Sequence, residues 1–280
     1  MCAEILKRNP LQGIGVGLRT CHYHHILNDR PPVSWFEVLS DNYLVAGGPP
    51  LAYLEAIAAH YPVAMHGVGM SLGSTDPLND EYLKKLKRLA DRIKPALISD
   101  HLCWTSVKGH YFHDLLPLPF TEEAIKHVAA RIRQVQAFLD SRILIENVSS
   151  YLEYHVNAMP EWEFLNAVAK EANCWILLDV NNVYVSASNH HYDPVDYIRN
   201  VDANRVKQYH LAGFTNKGKY LFDTHSEAVH EPVWLLYQET IERVGRRPTL
   251  IEWDGEIPPF IELLKQANRA QEIMDAAHVA

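Results

Sequence analysis

Short apolar segments recur along the whole chain, and each interval between them leaves room for a helix. The segments are predicted strands and fall at Gly13–Arg19, Trp35–Ser40, Val63–His66, Ala96–His101, Ile143–Glu146, Trp175–Asp179, Val206–His210 and Thr249–Glu252. Strands that alternate with helices form parallel sheets through right-handed crossovers. Eight such units in 280 residues predict an α/β fold, a single-domain (β/α)8 TIM barrel that spans residues 1–280.

Apolar residues at helical spacing fill most of the intervals. The predicted helices are Pro50–His60, Asp80–Ile93, Thr121–Asp140, Glu161–Ala172, Asp193–Val201, Pro232–Val244 and a closing amphipathic segment after Glu262. The longest predicted loops follow the fourth, sixth and seventh strands, at Cys103–Phe120, Asn181–Tyr192 and Leu211–Glu231. A doubly wound sheet is the alternative fold, but no GxGxxG motif opens a helix after a strand.

Charge and cysteine content narrow the classes of function. The net charge is -8 without a basic stripe, which argues against a nucleic-acid partner. The apolar runs are strand-sized, so we expect neither a signal peptide nor a membrane span. The four cysteines, Cys2, Cys21, Cys103 and Cys174, form no CxxC pair. Reduced thiols in a cytoplasmic enzyme are the simplest interpretation.

Six consecutive predicted strands each end in a side chain that can bind a metal, namely His66, His101, Glu146, Asp179, His210 and Glu252. In a barrel the carboxyl ends of the strands meet at one mouth. Carboxylates buried together need a compensating cation. Imidazole and carboxylate without thiolate suit iron, manganese or zinc. Six donors exceed what one tetrahedral zinc uses, so we predict two or three ions with Glu146 as a bridge.

The loops at this mouth add further candidates. Asn182 lies close enough in sequence to Asp179 to reach the site, and Asp223 and His225 have a spacing that suits one additional metal. Aromatic side chains are expected to ring the mouth, at Trp104, Tyr111, Phe112, Tyr184, Tyr192 and Phe222. A broad surface of this kind suits an extended peptide better than a small sugar or phosphate.

Long ordered stretches of this sequence resemble one known family, the multinuclear non-haem iron-dependent oxidative enzymes, which include the oxidase of methanobactin biosynthesis. The resemblance runs from Gly13 to about Pro259. The stretches that carry it are GIGVGLR, WFEVLSDNYL, MHGVGMSLGSTDPL, SDHLCW, LLPLPFTEEA, ILIENVSSYL, LLDVNNVYVSA, YHLAGF, DTHSEAV and LIEWDGEIP.

The resemblance implies a TIM barrel with two or three irons in a mixed Fe(II)/Fe(III) state. Such enzymes use O₂ to modify cysteines of ribosomally made precursor peptides, giving oxazolone–thioamide pairs or related products often linked to copper handling. A separate partner protein presents the peptide in many of them.

The resemblance also implies a ligand set. His66 and His101 would hold one iron, and Glu146 would bridge it to a second. The second iron would also take Asp179, His210 and Glu252, while a third, more labile ion would take Asn182, Asp223 and His225. The residues expected to act in catalysis are Glu146, Asp179 and His210.

Two alternatives share this ligand set. One is a TIM-barrel hydrolase or sugar isomerase that uses a divalent metal such as zinc or manganese and needs no O₂. The other is a non-catalytic metal-binding protein with exchangeable metal and no turnover. Metal identity and oxygen consumption discriminate among the three.

Overall fold

Eight parallel strands close into a barrel, which confirms the predicted fold class. The computed structural model describes residues 10–277. Numbered along the chain, the strands are β1 (Ile14–Gly17), β2 (Trp35–Leu39), β3 (Val63–Gly67), β4 (Ile98–His101), β5 (Trp104–Val107), β6 (His110–Leu116), β7 (Leu144–Glu146), β8 (Trp175–Asp179), β9 (Val206–Leu211), β10 (Thr215–Asn216), β11 (Leu221–Phe222) and β12 (Thr249–Ile251). The barrel runs in the order β1, β12, β9, β8, β7, β4, β3, β2.

Helices surround the barrel and follow its strands. They are α1 (Tyr23–Asp29), α2 (Pro49–Ala58), α3 (Asp80–Ile93), α4 (Glu122–Leu139), α5 (Glu161–Ala172), α6 (Val180–His190), α7 (Pro194–Asn200), α8 (Glu231–Val244) and α9 (Phe260–Ala276). Two short 3-10 helices follow β1 and β2, at Thr20–His22 and Ser40–Tyr43. The first turns of α3 and α4 are capped by the side chains of Asn79 and Thr121, each of which accepts a backbone hydrogen bond.

The prediction of a loop over Asn181–Tyr192 is wrong, because most of this segment belongs to α6. Its asparagines, serines and valines are weak helix formers, which favoured a loop. In the folded protein, a side-chain cap and the burial of its valines stabilise this helix. The carboxylate of Asp179 caps the helix by accepting from the backbone N–H of Asn182 at 2.7 Å, and Val180, Val183 and Val185 are buried against the core. α1 is likewise a helix that the periodicity did not indicate.

Two of the predicted long loops contain small antiparallel hairpins. β5 and β6 pair within the segment after β4, and β10 and β11 pair within the segment after β9. Both hairpins follow strands at the carboxyl end of the barrel. They therefore extend the mouth outward on two sides.

The opposite end of the barrel is closed by apolar side chains. Leu11, Trp35, Ala64 and Leu250 are buried together there. A Cβ atom added at Gly15 would lie 2.3 Å from the ring of Trp35, so the indole occupies the space that any larger residue at this position would need. The interior becomes polar only above this layer.

Cys103 and Cys174 are buried free thiols, and Cys21 is exposed and free. Cys2 lies outside the described residues. Burial raises the pKa of Cys103 well above its usual range. Within residues 10–277, no helix combines the length and the apolar character that crossing a bilayer requires.

Candidate metal centre

The six strand-end side chains meet at the carboxyl mouth of the barrel. Each is almost completely removed from solvent; Asp179 and His210 are fully buried, whereas His101 and Glu252 each retain 8 % of their exposure. Their donor atoms fall into two groups that share Glu146. The strands that carry them are neighbours in the sheet order, which is why residues far apart in sequence come together.

The first group joins His66 and His101 to Glu146. The Nε2 atoms of the two histidines lie 3.3 Å apart. Glu146 Oε2 lies 3.1 Å from the former and 3.4 Å from the latter. Donors that each lie about 2.1 Å from one ion are about 3–3.5 Å from one another. The three atoms have the mutual spacing of ligands around a single metal.

Both histidines in this group have their second ring nitrogen occupied. His101 Nδ1 donates to the carbonyl oxygen of Gly67 at 3.0 Å. His66 Nδ1 lies 2.8 Å from Ser99 Oγ, whose hydroxyl lies 3.4 Å from the carbonyl of Met65. A carbonyl only accepts, so the proton of His101 sits on Nδ1 and its Nε2 presents a lone pair. The Ser99 hydroxyl completes the same arrangement for His66 by donating to the carbonyl of Met65.

The second group contains Glu146, Asp179, His210 and Glu252. Here Glu146 uses its other oxygen: Oε1 lies 3.3 Å from His210 Nδ1. Glu252 Oε2 lies 3.0 Å from the same nitrogen. Glu146 thus faces one group with each of its oxygens, which is the geometry of a bridging carboxylate.

Several buried donor atoms of the mouth have no hydrogen-bond partner. These atoms include Glu146 Oε2, Asp179 Oδ2 and Asn182 Oδ1. Buried polar atoms are nearly always paired in native proteins, and three unpaired oxygens at one mouth need a common explanation. All three are oxygens that can bind a metal ion. The residues therefore fit a cluster of cations.

The electrostatics of the mouth lead to the same conclusion. Burial opposes ionisation of Glu146, but His210, His101 and His66 outweigh it and lower the pKa of this carboxyl to about 2. Burial and the charge of Glu146 raise the pKa of Asp179 well above its usual range. Burial lowers the pKa of His66, which keeps its imidazole neutral. Asp179 is thus costly as an anion unless a cation joins it.

The loop candidates lie beside the second group. His225 Nε2 lies 2.7 Å from Asp223 Oδ1, and its Nδ1 lies 3.4 Å from Glu252 Oε2 and 3.6 Å from Asp254 Oδ2. The donor group that forms around His225 is completed by Glu252 and Asp254. Asn182 stands at the first turn of α6 with its Oδ1 buried and unpaired.

His225 is fixed through its backbone. It has a positive φ of 47°; its N–H donates to the carbonyl of Gly213 at 3.1 Å, and its own carbonyl accepts from the N–H of Asp254. A Cβ atom at Gly213 would lie 2.3 Å from the carbonyl oxygen of Glu227. The close approach permitted by this glycine holds the loop against the strand end.

Several residues of the site were not predicted from the sequence. Glu37 projects into the barrel from β2 and lies 3.0 Å from His210 Nε2, and Gln208 lies on the same face of β9 as His210. Asn147 exchanges hydrogen bonds with the backbone of Asp179 and accepts from Asn182. A usable signal existed for Glu37, because it is the one acid inside the apolar run WFEVL.

The aromatic rim is partly as predicted. Tyr111, Phe112 and Phe222 are exposed on the two hairpins, and Trp104 packs edge-on against Phe112. The prediction was wrong for two residues. The rings of Tyr184, on α6, and of Tyr192, just after it, are partly buried and pack against the hydrophobic core. The exposed rings of Tyr151 and Tyr220 join Phe222 instead, and all three lie within 6.3 Å of one another.

Comparison with known families gives a match over almost the whole chain. A model described as RiPP precursor modification enzyme MbnB/TglH/ChrH matches residues 13–275, where RiPP denotes a ribosomally synthesised and post-translationally modified peptide. A UPF0276 protein of Acaryochloris marina is 55% identical over 266 residues, covering 95% of this chain and 96% of that protein. A UPF0276 protein of Caulobacter vibrioides is 46% identical over 263 residues and covers 94% of each chain.

Solved structures match the architecture. Endonuclease IV of Thermus thermophilus superposes with a TM-score of 0.62 at 15% identity, covering 93% of this chain and 99% of that one. D-allulose 3-epimerase of a Methylomonas species gives a TM-score of 0.60 at 13% identity, covering 95% and 97%. At this identity the likeness concerns the barrel fold alone.

Proposed function

Because the chain belongs to the RiPP precursor modification enzyme family MbnB/TglH/ChrH, we propose that it is a multinuclear non-haem iron oxidase. In this proposal it uses O₂ to modify a cysteine of a ribosomally synthesised precursor peptide. The observation that supports it most is the pair of buried donor groups joined by the two oxygens of Glu146.

Three sets of side chains would hold the iron. His66 and His101 with Glu146 form one set, and Asp179, His210 and Glu252 with Glu146 form the next. Asp223 and His225, with the unpaired Oδ1 of Asn182, are the proposed ligands of a third ion. Bound in mixed Fe(II)/Fe(III) states, iron would supply the redox chemistry that couples O₂ reduction to oxidation of a thiolate.

The chain's own residues determine how a substrate meets this centre. Asp179 and His210 have no exposure, whereas His101 and Glu252 keep a small exposed area. The peptide thiol therefore approaches past His101 and Glu252. Glu146, Asp179 and His210 are the proposed catalytic residues, since Glu146 joins the two groups and all three lie deepest, where water is excluded and charge interacts strongly.

The rim supports a peptide as the substrate. Exposed rings of Tyr111, Phe112, Tyr151, Tyr220 and Phe222 stand on the loops that surround the mouth. Aromatic rings provide large contact area with little loss of side-chain freedom, and they suit the mixed side chains of an extended segment. We further propose that a partner protein presents this peptide. An oxazolone–thioamide or related product, and a link to copper handling, are part of the same proposal.

The proposal is tested with a cysteine-containing precursor peptide as the candidate substrate. Incubated aerobically with the iron-loaded protein, the peptide should consume O₂ and lose mass as hydrogens at a cysteine. A Cys→Ser peptide should remain unmodified, because a hydroxyl binds iron weakly. Processing of the Cys→Ser peptide, or processing without O₂, would reject oxidation through an iron-bound thiolate.

Metal identity and O₂ dependence distinguish the two alternatives from the oxidase. A hydrolase or sugar isomerase would turn over without O₂ and with zinc or manganese alone. A metal-binding protein without activity would exchange its metal and leave every peptide unmodified.

A further inference from the structure

The three strand-end histidines differ in what supports the ring nitrogen that points away from the metal groups. His66 rests on the hydroxyl of Ser99 and His101 on the carbonyl of Gly67. Both partners are neutral. His210 alone rests on a carboxylate, since its Nε2 lies 3.0 Å from Glu37 Oε1. A charged acceptor orients an imidazole more strongly and makes its other nitrogen a better donor to a metal.

Glu37 is itself held in place from across the barrel. Gln208 Nε2 donates to Glu37 Oε2 at 2.6 Å. Glu37 and Gln208 are 3% and 0% exposed, so both side chains are shielded from bulk solvent. β2 and β9 are separated by β1 and β12 in the barrel. The contact therefore crosses the interior and lies directly beneath the metal groups.

The amide of Gln208 also competes for the same histidine nitrogen. Its Nε2 lies 3.0 Å from His210 Nε2. If the amide donated there, His210 would carry its proton on Nδ1, the nitrogen that faces Glu146 and Glu252. A protonated Nδ1 binds no metal. With Glu37 accepting, the proton stays on Nε2 and Nδ1 keeps its lone pair.

We propose that Glu37 is a positioning residue of the centre: it selects the His210 tautomer that binds metal through Nδ1, and Gln208 orients the Glu37 carboxylate for that purpose. The proposal rests on the proposed metal centre but not on the reaction or the substrate. It assigns to a buried acid in β2 a function that its position in an apolar strand otherwise leaves unexplained.

The position of the proton can be observed directly. In long-range ¹H–¹⁵N spectra of the wild-type protein loaded with Zn(II), the His210 proton should be on Nε2. In Glu37→Met, the Gln208 amide is the remaining partner of His210 Nε2, so the proton should move to Nδ1. A proton on Nδ1 in the wild-type protein would overturn the proposal, and this measurement requires no variant to fold.

Metal affinity provides the second readout. The metal-free protein is titrated with Co(II), and binding is followed by visible absorption. In Glu37→Met, the affinity of the second donor group, which contains His210, should be weakened about 10–100-fold, the usual range when a hydrogen-bond partner of a metal ligand is lost. Glu37→Gln keeps a neutral acceptor, so its Co(II) affinity should fall between those of the wild type and Glu37→Met. The double variant Glu37→Met/Gln208→Met removes the competing amide and should recover part of the loss.

The matched control changes a residue that supports the first donor group, formed by His66, His101 and Glu146. Ser99→Ala removes the support of His66 and should leave the His210 tautomer and the Co(II) affinity at its group unchanged. Equal Co(II) affinity in Glu37→Met and wild type, within twofold, would also overturn the proposal. None of these readouts involves O₂ or peptide. An inactive enzyme with the expected tautomer would reject the proposed oxidation and leave this inference intact.

Discussion

The two ends of the barrel interior are built from the same strands on opposite principles. At the amino end, the interior is filled by a cluster of apolar side chains, those of Leu11, Trp35, Ala64 and Leu250. At the carboxyl end, buried carboxylates and imidazoles leave donor atoms without partners. The closed end follows the ordinary rules of core packing, and the open end violates them. Such violations are expected where function is located.

The closed end contributes to stability, and the open end holds the residues of the proposed metal chemistry. Substitutions at the closed end should change the free energy of unfolding and leave the metal content intact. Substitutions at the open end should change the metal content, and some should stabilise the metal-free protein. A variant that changed the free energy of unfolding and the metal content together would show that the two ends are not independent.

The largest effect is expected for Glu146→Gln. The amide keeps the shape of the bridge but loses the charge that both donor groups share, so activity should fall below detection and iron per chain should fall to one or less. Iron analysis and O₂ uptake measure these two changes. Glu163→Gln, an exposed acid on α5, is the matched control and should be indistinguishable from wild type. Full iron content in Glu146→Gln would show that Glu146 is not a bridge.

Trp35→Ala tests the closed end. Truncating a fully buried indole leaves a large cavity and should destabilise the protein by about 3–5 kcal/mol. Urea denaturation measures the loss. Below the transition, iron per chain should match that of the wild type. Depleted iron in protein that remains folded would mean that the two ends are coupled.

Asp179→Asn should stabilise the metal-free protein while it lowers iron binding. Burial and the Glu146 charge raise the pKa of Asp179, so its protonated form stabilises the folded state at low pH. That contribution is lost as the pH rises through the folded-state pKa. The advantage of Asn should therefore grow with pH, to about 1–4 kcal/mol. Thermal melts of chelated protein from pH 5 to 8 test the trend, and a variant less stable than wild type throughout would contradict it.

The smallest effect is expected in the loop after β9. Asp223→Ala and His225→Ala should each remove one labile ion and keep the pair held by the strand ends. These two residues are partly exposed and lie outside the strands, so the barrel should melt at an unchanged temperature. Iron per chain, measured before and after brief chelation, reports the difference. Loss of all iron would show that the loop and the strand ends form one inseparable cluster.

Much of the open end was predictable because strand order and strand ends are encoded locally. Each apolar run stops at a side chain that the barrel then brings to one mouth, so His66, His101 and Glu146 needed no knowledge of distant contacts. The hairpins and α6 were missed for a different reason. Three of the four hairpin strands have four residues or fewer, and α6 consists largely of weak helix formers and depends on the Asp179 cap and on burial against the core.

The partners of Glu37 and Asp254 show what sequence patterns could not supply. Glu37 lies in the middle of a strand, and its partner Gln208 is 171 residues away in sequence. Asp254 joins His225 only because backbone hydrogen bonds fold the segment after β12 toward the loop after β9. Such pairings depend on the closed barrel, and no local pattern announces them.

The predictions on metal content follow from the proposed multinuclear iron centre at the open end of the barrel. The most direct test is anaerobic purification from iron-replete cells, followed by metal analysis and Mössbauer spectroscopy of the same sample. The donor groups predict at least two irons per chain, with Fe(II) and Fe(III) both present. One zinc per chain and no iron under these conditions would contradict the proposed iron centre.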